Sequence, residues 1–237
     1  MHLLATFAGV STALAARTAY AGISAGDQLF GPTLVAPPLP QQLALTFDDG
    51  PNPTATPRLL DVLASRNVRA TFFLIGSFVL KEPALVRRIE AEGHRVGNHT
   101  MNHRYLPILS ERRIREELSA CNHALEDTLG RPVTLFRPPH GARRPAVMRA
   151  ARELGLETVQ WNLIVGDWNP VPAETIYTRI ARGMARNRRR GQGTNVVLHD
   201  GGQGALGQPR LPTVEAVERL LDHLAADTIF VTPPDWA

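Results

Sequence analysis

The chain has 237 residues, 43% of them hydrophobic and 20% charged, which is typical of one folded domain and excludes a disordered protein. The net charge of +4 is small. The one local concentration of basic residues, at 186–190, lacks the interleaved aromatic residues of a nucleic-acid-binding face, so we expect no nucleic-acid partner. Cys121 is the only cysteine, which excludes an intramolecular disulfide and a cysteine-based metal cluster.

The N-terminal segment resembles an export signal. Residues 1–16 carry no formally charged side chain and are rich in Leu, Ala, Val and Phe, and Ala19-Tyr20-Ala21 matches a cleavage-site pattern. The positively charged residues that usually begin an export signal are missing, and the apolar run is shorter than the roughly 20 residues of a membrane span. We therefore predict export or envelope association, with 1–25 cleaved or weakly membrane-associated; a cytoplasmic protein is the alternative.

Residues 26–40 are rich in glycine and proline, and we expect a connector that packs on the outside of a single domain at 41–237. Strand-like and helix-like patterns alternate through that domain. The predicted strands lie at 42–47, 70–75, 95–98, 134–137, 157–161, 195–199 and 229–231. The predicted helices begin at 57, 83, 110, 145, 173 and 212. This alternation predicts parallel strands joined by crossover helices.

Helix boundaries follow from local residue types. Thr56 is predicted to cap the first helix, with Pro57 at its first position. Ser110 is predicted to cap the longest helix, and Gly130 to end it.

Polar residues collect where the predicted strands end. In a (β/α) barrel, the carboxyl ends of the strands form the edge on which active sites are built. Two adjacent carboxylates at the mouth of a buried strand also need a cation or a shared proton. The residues at this edge are Asp48, Asp49, His99, His103, Arg137, Asp167 and His199.

His99 and His103 are four residues apart, a spacing that suits two ligands of one divalent metal. The pair alone is weak evidence, because buried structural histidines are common. Together with Asp49 it forms a set of two histidines and one carboxylate that leaves positions open for water and substrate. Zinc fits these ligands, and the sequence leaves other divalent ions open.

Five segments in order resemble the motifs of the polysaccharide deacetylase family, which is the NodB-homology domain of carbohydrate esterase family 4. They are Thr46–Pro51, His99–His103, Arg137–Gly141, Asp167-Trp168 and Leu198–Asp200. The resemblance covers roughly 41–231. It implies a distorted (β/α)7 barrel and an enzyme that removes acetyl groups from N-acetylglucosamine units of chitin, peptidoglycan or related glycans. It implies no protein partner.

The resemblance also implies roles for the motif residues. Asp49, His99 and His103 would hold the metal, Asp48 would be the general base, and His199 would protonate the departing amine.

The remaining motif residues would support those groups. Arg137 would orient Asp48 and keep it ionised, and Asp167 would hold the tautomer of His199 and raise its pKa. The backbone N–H of His140 would bind the oxyanion. The residues expected near substrate are Pro139, Trp168 and Leu198, and Trp161 fits either the pocket or the core.

Two positions depart from the family pattern. His140 stands where tyrosine is usual, and Ile164 stands where an aspartate is frequent. The first should spare a main-chain oxyanion donor and alter the groove wall, while the second puts in doubt a polar contact and the preferred substrate.

Two other functions compete with glycan deacetylation. Relatives of this fold hydrolyse small non-glycan amides, and exposed aromatic residues in an open groove would favour glycan instead. A catalytically silent glycan-binding module is the second alternative, against which Asp48 and His199 argue because binding needs neither a base nor an acid.

Overall fold

The computed structural model describes residues 15–236. The export-signal prediction falls largely on residues 1–14, which lie outside the described residues. Within 15–236, the first helix, α1, covers 15–23. None of the described helices combines the length and apolar character needed to cross a membrane.

In the described part of the chain, one parallel sheet of eight strands forms the centre of the fold. Seven strands follow the order β5-β4-β3-β2-β1-β7-β6, and β8 pairs with the first residues of β1. The strands are β1 (Gln42–Gly50), β2 (Thr71–Leu74), β3 (Arg95–Asn98), β4 (Leu135–Phe136), β5 (Glu157–Thr158), β6 (Leu163–Ile164), β7 (Thr194–His199) and β8 (Ile229–Phe230). This curled sheet confirms the distorted (β/α)7 barrel.

Helices pack around the sheet. They are α2 (Thr56–Ser65), α3 (Gly76–Val79), α4 (Pro83–Ala91), α5 (Glu111–Leu129), α6 (Pro145–Glu153), α7 (Ala173–Arg189) and α8 (Leu211–Asp222). Short 3-10 turns occur at Leu106–Ile108, Pro139–Gly141 and Pro233–Trp236. The strand β6 and the helix α3 were not predicted, because neither is long enough to show a hydrophobic period.

The predicted helix boundaries are confirmed at α5 and wrong at α2. The Arg113 backbone N–H donates to the Ser110 hydroxyl, and Gly130 ends α5 with a φ of 69°. In α2 the N-cap is Ala55, and Thr56 is the first helical residue. Its hydroxyl donates to Asp200 instead of capping the helix.

The alternation of side chains along β1 positions the site. Leu43, Leu45 and Phe47 belong to the main hydrophobic core between the sheet and the helices. Successive side chains of a strand face opposite sides, so Thr46 and Asp48 face the barrel interior.

The segment 26–40 packs along the sheet edge at β5. Leu34 forms a parallel bridge with Val159. Its N–H donates to the Thr158 carbonyl at 2.9 Å, and its carbonyl accepts from the Gln160 N–H at 2.7 Å. The segment therefore covers backbone groups that a sheet edge would leave unpaired. The division of the chain at 41 stays a prediction.

Arg143 ties the N-terminal segment to the loop after β4. Its guanidinium is buried and donates to the carbonyls of Ser24, Asp27 and Gly141 at 2.7, 2.6 and 3.2 Å. Its own N–H donates to the Gly22 carbonyl at 2.9 Å. Residues 22–27 are thus an integral part of the domain at this point.

Candidate active site

Asp48 and Asp49 both face a cleft at the end of β1, although neighbours in a regular strand face opposite sides. The pairing register explains the exception. Asp48 pairs with Phe73 and Gly50 with Leu74, so Asp49 is an extra residue in β1, with a φ of 69°. This bulge brings both carboxylates to the same side of the strand.

Asp49, His99 and His103 come together as the sequence analysis expects. Asp49 Oδ1 lies 3.4 Å from His99 Nε2 and 3.1 Å from His103 Nε2. One ligand atom from each residue lies within 4.8 Å of the other two. This is a compact group of three nearly buried donors of the types that bind divalent metals.

The donor chemistry of this triad fits a cation. His99 Nδ1 lies 2.8 Å from the carbonyl oxygen of Arg137, which can only accept, so the neutral ring carries its proton on Nδ1. Its Nε2 lone pair then faces the carboxylate of Asp49, and two acceptors facing each other favour a positive ion between them. Burial lowers the pKa of His103 to about 4, which keeps this ring neutral at pH 7.

Asp48 is held by a buried arginine. Arg137 Nη1 donates to Asp48 Oδ1 at 2.7 Å and to the Thr46 hydroxyl at 2.9 Å. The other nitrogens of Arg137 donate to backbone carbonyls, and its guanidinium stacks on Phe73 at 4.2 Å. Asp48 Oδ2 remains on the side of the metal triad, 3.9 Å from His99 Nε2. The carboxylate is therefore fixed in orientation, with one oxygen available for a proton.

His199 is held by a second charged contact. Its Nδ1 lies 2.9 Å from Asp167 Oδ1, and its backbone N–H donates to Asp167 Oδ2 at 2.7 Å. The Thr213 hydroxyl, from the first turn of α8, also donates to Asp167 at 3.0 Å. Burial alone would lower the pKa of His199, but Asp167 and the acids beyond it raise the pKa to about 9. The ring is thus a proton donor at neutral pH, with Nε2 free of this contact.

The loop after β4 carries His140 in the left-handed region, with a φ of 59°. The centroid of its ring lies 4.8 Å from the ring centroid of His103 and 6.0 Å from that of Tyr105. The next residue, Gly141, has a φ of 65°, and a Cβ there would lie 2.6 Å from Trp161. The loop conformation therefore requires glycine at 141.

Comparison with known proteins agrees with this geometry. The sequence profile of the family "Polysaccharide deacetylase" matches residues 36–159, which is more than half of the chain. This chain belongs to the polysaccharide deacetylase family.

Relatives of this polysaccharide deacetylase include two enzymes with named substrates. A peptidoglycan-N-acetylglucosamine deacetylase of Bacillus cereus is 38% identical over 77% of this chain and 81% of its own length. A chitooligosaccharide deacetylase of Bradyrhizobium is 36% identical over 66% of this chain and 69% of its own length. The crystal structure of the Bc1960 peptidoglycan N-acetylglucosamine deacetylase matches with a TM-score of 0.75 and 31% identity, covering 86% of this chain and 91% of that one. The protein is a hydrolase of carbon–nitrogen bonds in N-acetylated glycans.

The groups described above open into one cleft of about 530 Å³. That volume is in the usual range for small-molecule sites. The predicted residues that line the cleft are Asp48, Asp49, His99, His103, His140, Trp161, Trp168 and His199.

Four predicted residues lie elsewhere in the polysaccharide deacetylase. Arg137 and Asp167 are buried behind Asp48 and His199. Leu198 is fully buried in the main core instead of lining the acetyl pocket, because it points away from His199 on β7, and Val197 lines the cleft in its place. Pro139 is buried at the start of a 3-10 turn and does not line the cleft.

Both departures from the family pattern, His140 and Ile164, lie in the cleft wall, as does Trp168. Ile164 is 51% exposed and Trp168 is 42% exposed, and both line the cleft. Trp161 serves two purposes, since it lines the cleft and also packs on Gly141. The wall therefore presents apolar surface suited to the face of a sugar ring.

The sequence analysis missed one side of the cleft. It is formed by the loop between β7 and α8, which contributes Gln203, Gly204, Gln208 and Arg210. The signal available was position, since this loop follows the carboxyl end of a central parallel strand. Which of its side chains turn inward could not be read from the sequence.

Proposed function

We propose that this protein is a metal-dependent N-deacetylase that hydrolyses the acetamide of N-acetylglucosamine units in a glycan, releasing acetate. The observation that carries the proposal is the presence, in one cleft, of a triad suited to a cation, a fixed carboxylate and a protonated histidine. Peptidoglycan and chitooligosaccharide, the substrates named for the two relatives, share that acetamide. Trp168, exposed in an open cleft, favours glycan over a small amide.

Asp49, His99 and His103 would hold the metal. When bound, a divalent cation supplies a Lewis acid that polarises the acetamide carbonyl and makes a nearby water more acidic. The two imidazoles and one carboxylate are ligands that suit Zn²⁺ and leave a position open, so zinc is the metal that we propose.

The protein's own groups then move the protons. Asp48, fixed by Arg137, accepts a proton from the attacking water through Oδ2. The oxyanion that forms at the former carbonyl is stabilised by the backbone N–H of His140. His199 donates a proton from Nε2 to the glucosamine nitrogen as the carbon–nitrogen bond breaks, since an amine cannot leave as an anion. The products are acetate and a free amine.

Acetate release tests this proposal directly. The substrates are N-acetyl chitooligosaccharides and peptidoglycan, and the protein is reconstituted with zinc. We expect release from at least one glycan, with loss after chelation and in Asp48→Asn. The matched control is Asp61→Asn, because Asp61 is an exposed acid that pairs with Arg88 at the surface. Zinc-loaded protein that releases acetate from neither glycan would overturn the proposal.

A further inference from the structure

Arg210 stands out on the side of the cleft that the sequence analysis missed. The residue is 9% exposed and lines the cleft. Nη1 donates to the carbonyl of Pro209 at 2.8 Å, while Nε is buried and has no hydrogen-bond partner among the described residues. In the part of the chain that the structure describes, no carboxylate forms an ion pair with this guanidinium.

Among the described residues, the other two buried arginines, Arg137 and Arg143, have hydrogen-bond partners. Arg137 binds Asp48, and Arg143 donates to three backbone carbonyls. Burying a charged group without partners costs free energy. A guanidinium that keeps most of its donors unused beside a substrate cleft is therefore arranged for a partner that arrives with the substrate.

The loop holds Arg210 in place. A Cβ on Gly202 would lie 2.1 Å from Gln208 Oε1 and 2.9 Å from Arg210 Nη2, so the backbone of Gly202 packs directly against both side chains. The carbonyl of Arg210 also accepts from the Thr213 N–H at 3.0 Å at the start of α8. The guanidinium is thus positioned before any ligand binds, which reduces the entropy lost on binding.

The planar guanidinium recognises carboxylates by two parallel hydrogen bonds. Uncharged amide side chains of Gln203 and Gln208 line the same part of the cleft and can bind sugar hydroxyls. Chitooligosaccharide carries no carboxylate, whereas the muramic acid that alternates with N-acetylglucosamine in peptidoglycan carries one on its lactyl group or on the attached stem peptide.

We propose that Arg210 binds a carboxylate of the muramoyl unit next to the reacting N-acetylglucosamine, and so selects peptidoglycan over neutral chitooligosaccharide. This inference rests on the proposed function. Arg210 is a specificity residue in it and takes no part in proton transfer.

The experiment compares four substrates. They are chitotetraose, a peptide-free tetrasaccharide of alternating N-acetylglucosamine and N-acetylmuramic acid, the methyl ester of that tetrasaccharide, and the tetrasaccharide bearing stem peptides. For the unaltered protein, we expect the methyl ester to raise KM by about 10- to 100-fold over the free acid, the loss expected for one charge-assisted contact. A low KM for the free acid assigns the contact to the lactyl carboxylate, and a low KM only with stem peptides assigns it to a peptide carboxylate.

Variants of Arg210 provide the second part of the experiment. Arg210→Gln should raise KM for the carboxylate substrate by the same factor with kcat little changed, and should leave KM for chitotetraose unaltered. Arg210→Lys should recover part of the affinity. The control is Arg87→Gln, which removes an equal charge from an exposed position on α4.

The outcomes separate the two proposals. If the unaltered protein shows the same KM for the free acid, its methyl ester and the tetrasaccharide with stem peptides, or if Arg210→Gln weakens all substrates equally, this inference is wrong and the deacetylase stands. If the unaltered protein releases no acetate from any of the four substrates, both proposals fail. These substrate comparisons use the unaltered protein, so they test the inference even if Arg210→Gln does not fold.

Discussion

Arg137 reaches His99 and Asp48 through different atoms. Its backbone carbonyl lies 2.8 Å from His99 Nδ1, and its guanidinium donates to Asp48 Oδ1 at 2.7 Å. One residue therefore orients both a proposed metal ligand and the proposed base. Because the first contact uses the main chain, a side-chain substitution should affect only the second.

Arg137→Met tests this separation. We expect kcat to fall by at least about 100-fold, since small misplacements of a catalytic group have that effect. Leaving Asp48 buried without its partner should cost about 3 to 5 kcal/mol of stability. The zinc content of folded protein, measured by elemental analysis, should stay at the wild-type value. Loss of zinc in a protein that remains folded would contradict the separation.

The pH dependence of kcat should report His199. Its pKa is raised to about 9 from the usual 6.5, so the protonated, acid form persists through neutral pH. Activity should therefore fall on the alkaline side as pH rises through about 9. The charged ring likewise stabilises the fold below pH 6.5, and this contribution is lost as pH rises through about 9.

Asp167→Asn should move this alkaline limb toward lower pH. The charge of Asp167 is what raises the pKa of His199, so removing it leaves the lowering effect of burial unopposed. The measurement is kcat against pH for wild type, Asp167→Asn and the surface control Asp61→Asn. An alkaline limb that stays in place in Asp167→Asn would disprove the coupling of the two residues.

Zinc binding should be measurable without activity. A ligand that binds the folded state raises the unfolding temperature, so zinc should raise the Tm of the wild-type protein. His103→Ala should lose most of this shift, because one of three ligands is removed. His123→Ala is the control, since His123 is an exposed histidine on α5. An equal zinc shift in His103→Ala and wild type would show that zinc binds elsewhere.

The contact between β1 and the loop after β7 leaves no room for a side chain at Gly201. A Cβ there would lie 1.9 Å from the Asp49 carbonyl oxygen. Gly201→Ala should destabilise the protein by about 2 kcal/mol or more through overpacking, lowering Tm by roughly 4 to 8 °C. Gly26→Ala is the control, because no non-neighbouring atom of residues 15–236 lies within 4 Å of a Cβ at that position. Equal melting temperatures for the two variants would show that the backbone gives way at Gly201.

Much of the fold followed from the sequence because the long elements carry clear patterns. The buried run of β1 and the capped, amphipathic α5 were both predicted within a few residues. The two residues of β6 are too few to show any pattern. Thr56 matched a capping pattern, but its hydroxyl donates to Asp200 in a tertiary contact that the sequence pattern does not show.

The site was predictable in its composition and less so in its geometry. Motif residues such as Asp48 and His199 could be assigned because their order along the chain is specific. The bulge at Asp49 could not, since it appears only in the pairing with β2. The same limit applies to Leu198, whose place on the core side follows from strand register. Arg210 lies in a loop whose path is set by contacts with Gly202 and Gln208.

Arg143 sets a practical boundary for shortened forms of the enzyme. Its guanidinium is buried against the carbonyls of Ser24 and Asp27, and the same residue continues the loop that carries His140. A chain trimmed to begin at residue 28 would lose both carbonyl acceptors. The guanidinium charge of Arg143 would then be buried without these two hydrogen bonds. Recombinant forms that keep residues from 22 onward preserve these hydrogen bonds. They also preserve the conformation of the loop on which the proposed oxyanion contact depends.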